Sequence, residues 1–300
     1  MKAVLLGLLG LLGLLLAAWP LAGIADPPRT VVIGGDVAEI TAALGAAERL
    51  VGRDDTSTYP ERLEALPSVG YLRQLAAEGV LSLRPAHLLV ARAAGPREVL
   101  AQLEASGVAV SRIDAPPRLE AIPAKVRQVA AALGDDPAII DRGSALAESL
   151  QAEIAELAAL PPLPPLRALF LLGHGGMTPR VAGRDTAAQA MMDAVGVTNA
   201  FAEMSGYKPV GAEALIRQAP EVVIATRGGL EGLGGEPALW RLPGLAMTPA
   251  GQARRLVVFD DQALLGFGPR TPATLLALYE ALEHQAMAPD IPGSTGSTPP

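Results

Sequence analysis

The chain contains no cysteine. That removes disulfides, thiolate metal sites and a lipid anchor on an N-terminal cysteine. Histidine is almost as scarce: three residues in 300, too few and too scattered for a multi-histidine metal cage. No G-x-S-x-G elbow, phosphate-binding P-loop or H-E-x-x-H helix occurs, and no catalytic set emerges, so the chain does not read as an enzyme. It also lacks a basic run, and its formal net charge is −7, which makes it a poor match for nucleic acid. Acid pairs exist, Asp54-Asp55 and Asp135-Asp136, but they sit in polar turns that suit capping or solvation better than acid–base work. The glycine-rich GGLEGLGG lacks the strand-to-helix spacing of a dinucleotide fingerprint and reads as a loop.

Long apolar runs are confined to the N-terminus. Met1-Lys2 is followed by a Leu/Gly/Ala run from Ala3 to Leu16, and Gly23-Ile24-Ala25 offers small residues where a signal peptidase reads. Cleavage after Ala25 is expected, leaving Asp26 as the mature N-terminus and taking the charge to −8, since this segment carries one lysine and no acid. The run falls short of the ~20 apolar residues that span a bilayer. A soluble periplasmic protein is expected.

The remainder alternates between strand and helix signals. Val31 to Gly35, Leu50 to Arg53, His87 to Ala91 and Val108 to Ile113 read as strands, with Asp36 at the N-cap of a first helix and Pro96 to Ser106 as another. Ile122 to Leu160 is a long helical run broken only near Gly134 to Pro137, and PPLPPL stops it. Strand signals resume at Arg167 to Leu172, Glu221 to Thr226 and Arg255 to Phe259. Helices are expected at DTAAQAMMDAVG, Ala212 to Gln218 and Pro272 to His284. The halves echo each other: VVIGGDVAEITAALGAAERLVG matches VAGRDTAAQAMMDAVGVTNAF, and EGVLSLRPAHLLVARAAG matches EALIRQAPEVVIATRGG.

The fold class is therefore α/β, with two Rossmann-like lobes of parallel-type sheets joined by a long backbone helix. The expected boundaries are a signal peptide at 1–25, an N-terminal lobe at 26–118, a helical linker at 119–163, a C-terminal lobe at 164–287 and a disordered Pro/Gly/Ser/Thr tail at 288–300. Ligands of such folds bind outside the strand ends, in the cleft.

PSVGYLRQLAAEGVLSLRP (residues 67–85) is the stretch that carries chemistry. Gly70 permits an unusual turn before Tyr71, so the phenol can point out of the scaffold, and Arg73 follows two residues later. A phenolate is a hard oxygen ligand suited to ferric iron and is a known axial ligand of haem. Taken alone, the two residues are explained at least as well by a packed tyrosine and a solvated arginine. His174, in GHGG, is held between glycines that let its imidazole reach a cleft. His87, at a strand start, reads as structural, and His284 as a surface residue. Arg227 is a candidate for pairing with carboxylates. Tyr59 and Met177 are candidate cleft-lining residues, for which turn packing and core filling are the alternatives.

On VVIGGDVAEI, LVGRDDTSTYP, LPSVGYLRQLAAEGVLSLRP, VAGRDTAAQAM and GLEGLGG, the chain resembles the periplasmic haem-binding proteins of bacterial haem ABC importers. The resemblance covers Val31 to Ala115 and Arg167 to Pro272, and 54–85 is its most diagnostic part. It implies a solute-binding protein that captures haem between its lobes and delivers it to an inner-membrane ABC permease, as a monomer. It implies Tyr71 as ligand of the haem iron and Arg73 as its support. Members with a histidine in the loop of His174 hold two stacked haems, so the resemblance implies one or two here. It also points to surface glutamates, with Glu61 and Glu203 as candidates, docking on permease arginines. A ferric-siderophore or corrinoid binder of the same architecture is the alternative.

Overall fold

The computed structural model describes residues 29–173 and 178–287. The expected signal peptide, the C-terminal tail, His174 and Met177 lie outside them. The first half is built on four parallel strands, β1 (Thr30–Ile33), β2 (Leu50–Arg53), β3 (His87–Ala91) and β4 (Ala109–Ile113), in the order β2-β1-β3-β4. The central strands are continuous apolar runs because helices cover both faces: Val31, Val32, Ile33, Leu88, Leu89 and Val90 are all buried. Those helices are α1 (Gly35–Ala43), α2 (Ala77–Ser82) and α3 (Arg97–Ala105). The residue at the N-cap of α1 is Gly34, not Asp36; Asp36 lies one step inside the first turn, where its carboxylate serves another purpose, described below.

The predicted helical run is two helices, α4 (Ile122–Ala132) and α5 (Pro137–Ala158), packed against each other. The break falls where glycine and proline placed it. Asp136 caps α5, its carboxylate accepting from the Ala138 N–H at 3.0 Å. The spacer between the halves is thus not one continuous helix. α5, at about 33 Å for its 22 residues, reaches from the first half to the last helix of the second, while α4 packs on α1 and β4.

The second half carries β5 (Arg167–Leu172), β6 (Arg180–Ala182), β7 (Thr198–Asn199), β8 (Tyr207–Lys208), β9 (Val222–Thr226) and β10 (Leu256–Phe259). The sheet runs β10-β9-β5-β6-β8, with β7 also on β5. β5, β7, β9 and β10 are parallel, as expected, but β6 runs antiparallel to β5 and β8 antiparallel to β6. The connection from Leu172 to Arg180 is too short for a parallel crossover, which needs a dozen or more residues. The helices of this half are α6 (Ala187–Ala194), α7 (Ala212–Gln218), α8 (Arg227–Gly232), α9 (Glu236–Leu239), α10 (Pro249–Ala253), α11 (Asp261–Leu265) and α12 (Thr271–Met287). RGGLEG, expected to be loop, is α8: the Thr226 hydroxyl caps it by accepting from the Gly229 N–H at 3.1 Å, overriding the low helix propensity of three glycines. The second sequence echo is visible as α2–β3 and α7–β9. Each unit has a left-handed residue just before its proline, Arg84 (φ 48°) before Pro85 and Ala219 (φ 44°) before Pro220.

The halves share one apolar core. It runs from Val32, Val37 and Ile40 through Val126, Val129 and Leu150 to Phe170, Leu264, Phe267 and Leu278. Two ionic contacts stitch the same joint. Lys125, 3% exposed, donates to Asp36 Oδ2 at 2.5 Å and to the Phe267 carbonyl at 2.8 Å. Arg270 donates from its backbone N–H and its Nε to the two carboxylate oxygens of Glu39, both at 2.9 Å, and from Nη1 to Asp260 Oδ1 at 3.2 Å. Among the described residues no helix is long and apolar enough to cross a membrane.

Two outcomes are expected from this fold. Lys125→Met should cost about 3 kcal/mol in urea unfolding, because it strands the Asp36 carboxylate in a mostly buried joint. His87 has its Nε2 2.9 Å from Ser111 Oγ, and burial lowers its pKa from 6.5. The unfolded chain then binds more protons than the folded one between the lowered value and 6.5. Stability is therefore full above 6.5 and is lost as pH falls below it. In His87→Gln this part of the pH dependence, followed by urea midpoints from pH 7.5 to 5, should be absent.

Candidate functional site

The loop that presents Tyr71 follows β2 at the carboxyl-end rim of the first sheet. It is fixed from both sides. The Asp55 N–H donates to the Gly70 carbonyl at 2.9 Å, and the Val69 N–H to the Arg53 carbonyl at 2.8 Å. On the other flank, the Gly95 N–H donates to the Leu72 carbonyl at 2.8 Å and the Leu75 N–H to the Gly95 carbonyl at 3.0 Å. Beneath it lies the fully buried carboxylate of Asp54, which accepts from the Gly34 N–H, both donors of Thr56 and the Ser57 hydroxyl, at 2.6–3.0 Å. The pair Asp54-Asp55 is therefore structural: one carboxylate ties the β1–α1 turn to this loop, and the other accepts from the Ser68 hydroxyl at 2.5 Å.

On this base Gly70 takes φ +92°, and the next phenol stands 42% exposed. Arg73 is exposed beside it. Among the described residues neither side chain has a hydrogen-bond or ion-pair partner, whereas Arg49, Arg53, Arg142, Arg167, Arg184 and Arg270 all donate to carbonyls or carboxylates. Arg227 is placed at the corresponding rim of the second sheet, as the first residue of α8 after β9, exposed and likewise without a side-chain partner among the described residues. Tyr59 lies elsewhere. Its ring stacks on the Arg270 guanidinium at 3.7 Å, beside Glu39 in the joint, and remains 43% exposed.

Sequence reading missed Tyr207, on β8. Its side chain is half-buried. Burial is the main influence and raises its pKa above the usual 10.0. The signal was available: Ser205-Gly206-Tyr207 echoes Ser68-Val69-Gly70-Tyr71 with one residue fewer, and Gly183-Arg184-Asp185 repeats Gly52-Arg53-Asp54. The structure pairs them alike. Arg53 bridges Ser68 and Arg184 bridges Ser205. Ser68 donates to Asp55, and Ser205 donates to Asp185 at 2.9 Å. Gly70 and Gly206 both have positive φ. VAGRD is thus locally the counterpart of LVGRD rather than of VVIGGD.

Two concavities, of about 280 and 260 Å³, lie at the Glu39/Tyr59/Arg62/Arg270 joint and under Leu169, Leu171, Val210 and Leu242. Both fall below the ~300 Å³ at which small-molecule pockets begin, and neither includes Tyr71, Arg73 or Arg227. Among the described residues no three His, Asp or Glu side chains gather as a metal-binding set.

The model of the periplasmic binding protein family matches residues 31–263. The chain is similar in structure to the periplasmic haem-binding protein RhuT of Roseiflexus sp. RS-1: 42% identity over 87% of this chain and 100% of that one, with a TM-score of 0.81. It is also similar to the periplasmic haem-binding protein BhuT in complex with two haems, at 43% identity over 86% and 99% of the chains and a TM-score of 0.78. A periplasmic haem-binding protein from Pseudomonas aeruginosa matches at 38% identity over 86% and 93%, TM-score 0.74. Among curated sequences, the uncharacterised ABC transporter substrate-binding lipoprotein YvrC of Bacillus subtilis is 22% identical over 68% of this chain and 65% of its own length. A vitamin B12-binding protein of Pectobacterium atrosepticum is 32% identical over 40% of this chain and 42% of its own. The chain thus spans less than two thirds of each of these curated relatives.

Because Gly70 holds a left-handed backbone with open space at its missing Cβ, Gly70→Ala should cost backbone strain alone, about 1–2 kcal/mol. Urea denaturation reads it, and a cost above twice that would show a packing role for the glycine.

Proposed function

The chain belongs to the periplasmic binding protein family, and from that premise we propose that it captures ferric haem in the cleft between its two lobes and delivers it to an inner-membrane ABC permease. One observation carries this reading: an exposed phenol, lifted on a positive-φ glycine and flanked by an arginine with no side-chain partner among the described residues, at the strand-end rim where α/β ligands bind. It occurs in a chain about two-fifths identical, nearly end to end, to proteins titled as haem-binding. The corrinoid alternative rests on a match to less than half of the relative's length. A fully chelated ferric siderophore leaves no valence for a phenolate, which would leave Tyr71 without a task.

In this reading the lobes are residues 26–118 and 164–287, with the helical connection 119–163 between them and the signal peptide 1–25 removed on export to the periplasm. Tyr71 supplies an anionic oxygen to the ferric iron. Arg73 lies two residues away, where a guanidinium favours the ionised phenol. Arg227, at the opposite rim, pairs with a propionate. His174, which follows β5 in the sequence, provides a second iron ligand. The shared core and the Lys125 and Arg270 contacts hold the lobes at their base, so opening is a modest hinge movement rather than a wide swing. Glu61 on the first lobe and Glu203 on the second are exposed carboxylates available to permease arginines.

Haemin titration of residues 26–300 tests the proposal. Saturation at one or two equivalents with a tyrosinate-type charge-transfer band is expected, and Tyr71→Ala should lose the band. A break at two equivalents that falls to one in His174→Ala identifies His174 as ligand of a second haem. The absence of a saturable change in the wild type would refute haem as the cargo.

A further inference from the structure

Three consecutive residues after β10, Asp260 to Gln262, each reach a different part of the molecule. Asp260 caps α11, its carboxylate accepting from the Ala263 N–H at 2.9 Å, and the same oxygen accepts from Arg270 Nη1 at 3.2 Å. Arg270 in turn holds Glu39 of α1. Gln262 lies against the first residue of α1: a Cβ at Gly35 would stand 2.5 Å from the Gln262 Cδ, an approach that any side chain at 35 would obstruct. The outer two residues of the trio are thus set against the first lobe, one through Arg270 and one directly.

The middle one reaches α8. Asp261 is half-buried, and its Oδ2 accepts from the Gly228 N–H at 2.8 Å. Gly228 follows Arg227 in α8, a helix of six residues, three of them glycine. Glycine disfavours a helix, and the first N–H groups of any helix have no partner within it. In α8 side chains take two of them: Thr226 accepts from Gly229 at 3.1 Å, and Asp261 accepts from Gly228. A Cβ at Gly228 would lie 3.1 Å from Asp261 Oδ2, so glycine there leaves room for the carboxylate. Thr226 is the neighbour of Arg227 and moves with α8. Asp261 ties the start of α8 to the segment that is fixed on the first lobe.

We propose that Asp261 is a positioning residue for Arg227: by holding the Gly228 N–H it fixes the start of α8, and so sets Arg227 relative to the first lobe, which carries Tyr71. The consequence rests on the reading of Arg227 as partner of a haem propionate; the contact itself does not. An exposed arginine without a side-chain partner among the described residues keeps its rotamer freedom, so what the fold can fix before a carboxylate arrives is its backbone. Fixing it lowers the ordering cost of the contact.

Two measurements test this. The chain has no cysteine, so nitroxides can be placed at Arg73→Cys and Arg227→Cys alone. In ligand-free protein the distance distribution between them should broaden in Asp261→Ala and stay narrow in Asp261→Asn, which keeps an acceptor oxygen for Gly228. In the unlabelled protein Asp261→Ala should raise the Kd for haemin about fivefold, within the scale of one hydrogen bond to a charged group, while the Kd for haemin dimethyl ester, which has no free propionate, changes less than about twofold. The same substitution in an Arg227→Ala background should change the haemin Kd less than about twofold, because nothing is left to position. A distance distribution indifferent to Asp261→Ala, an equal loss for haemin and its ester, or additive effects with Arg227→Ala overturns the proposal. If the wild type binds no haemin, or Arg227→Ala leaves its affinity unchanged, the haem reading of Arg227 fails, and the nitroxide measurement still decides whether Asp261 positions the start of α8.

Discussion

The Lys125 ammonium is almost sealed from solvent, and its two oxygen partners come from opposite halves of the chain: the Asp36 carboxylate on α1 and the Phe267 carbonyl beyond α11. An unpaired charge so placed would cost several kcal/mol, so the second half must return to the first at this point. Arg270 repeats the device with Glu39. The surrounding apolar core is continuous across the joint, which leaves little room for the lobes to slide. Everything at the rims depends on this, because Tyr71 and Arg73 belong to one lobe while Arg227 and Tyr207 belong to the other. Rims brought to a defined separation can build a site from both sides.

The two lobes solve the same local problem with the same parts. A short strand leads into Gly-Arg-Asp, the arginine bridges a serine, and that serine donates to an aspartate while a positive-φ glycine turns the chain into a tyrosine. The outcome differs because the sheets differ. β2 is a parallel edge strand followed by a loop pinned along the rim, whereas the second tyrosine lies within a strand, β8, paired antiparallel with β6. One geometry yields an exposed phenol, and the other a half-buried one.

Much of this was legible in the residues. Four strands of the first half, the break at Gly134 to Pro137 and helix 212–218 follow from apolar runs and punctuation, since buried parallel strands and proline stops are strong local signals. Tyr71 stood out because glycine before tyrosine is a backbone statement. The antiparallel β6 and β8 were not legible, since two- and three-residue strands carry no periodicity and their direction is set by loop length. Helix α8 was hidden because its three glycines disfavour a helix, while the cap that Thr226 provides by accepting from the Gly229 N–H sits on a strand-end residue. Asp36 read as a cap because nothing local reveals a lysine 89 residues away. Tyr207 escaped because the echo was aligned on the helix after Asp185 rather than on Gly-Arg-Asp itself.

The central claim is that a phenolate from Tyr71 meets ferric iron in the cleft. Resonance Raman spectroscopy of the haemin complex, excited in the charge-transfer region, looks at that bond. Iron-bound tyrosinate modes present in the wild type and gone in Tyr71→Phe are the predicted result. A wild-type spectrum without such modes, or a Tyr71→Phe spectrum that keeps them, would contradict the claim and move the ligand elsewhere.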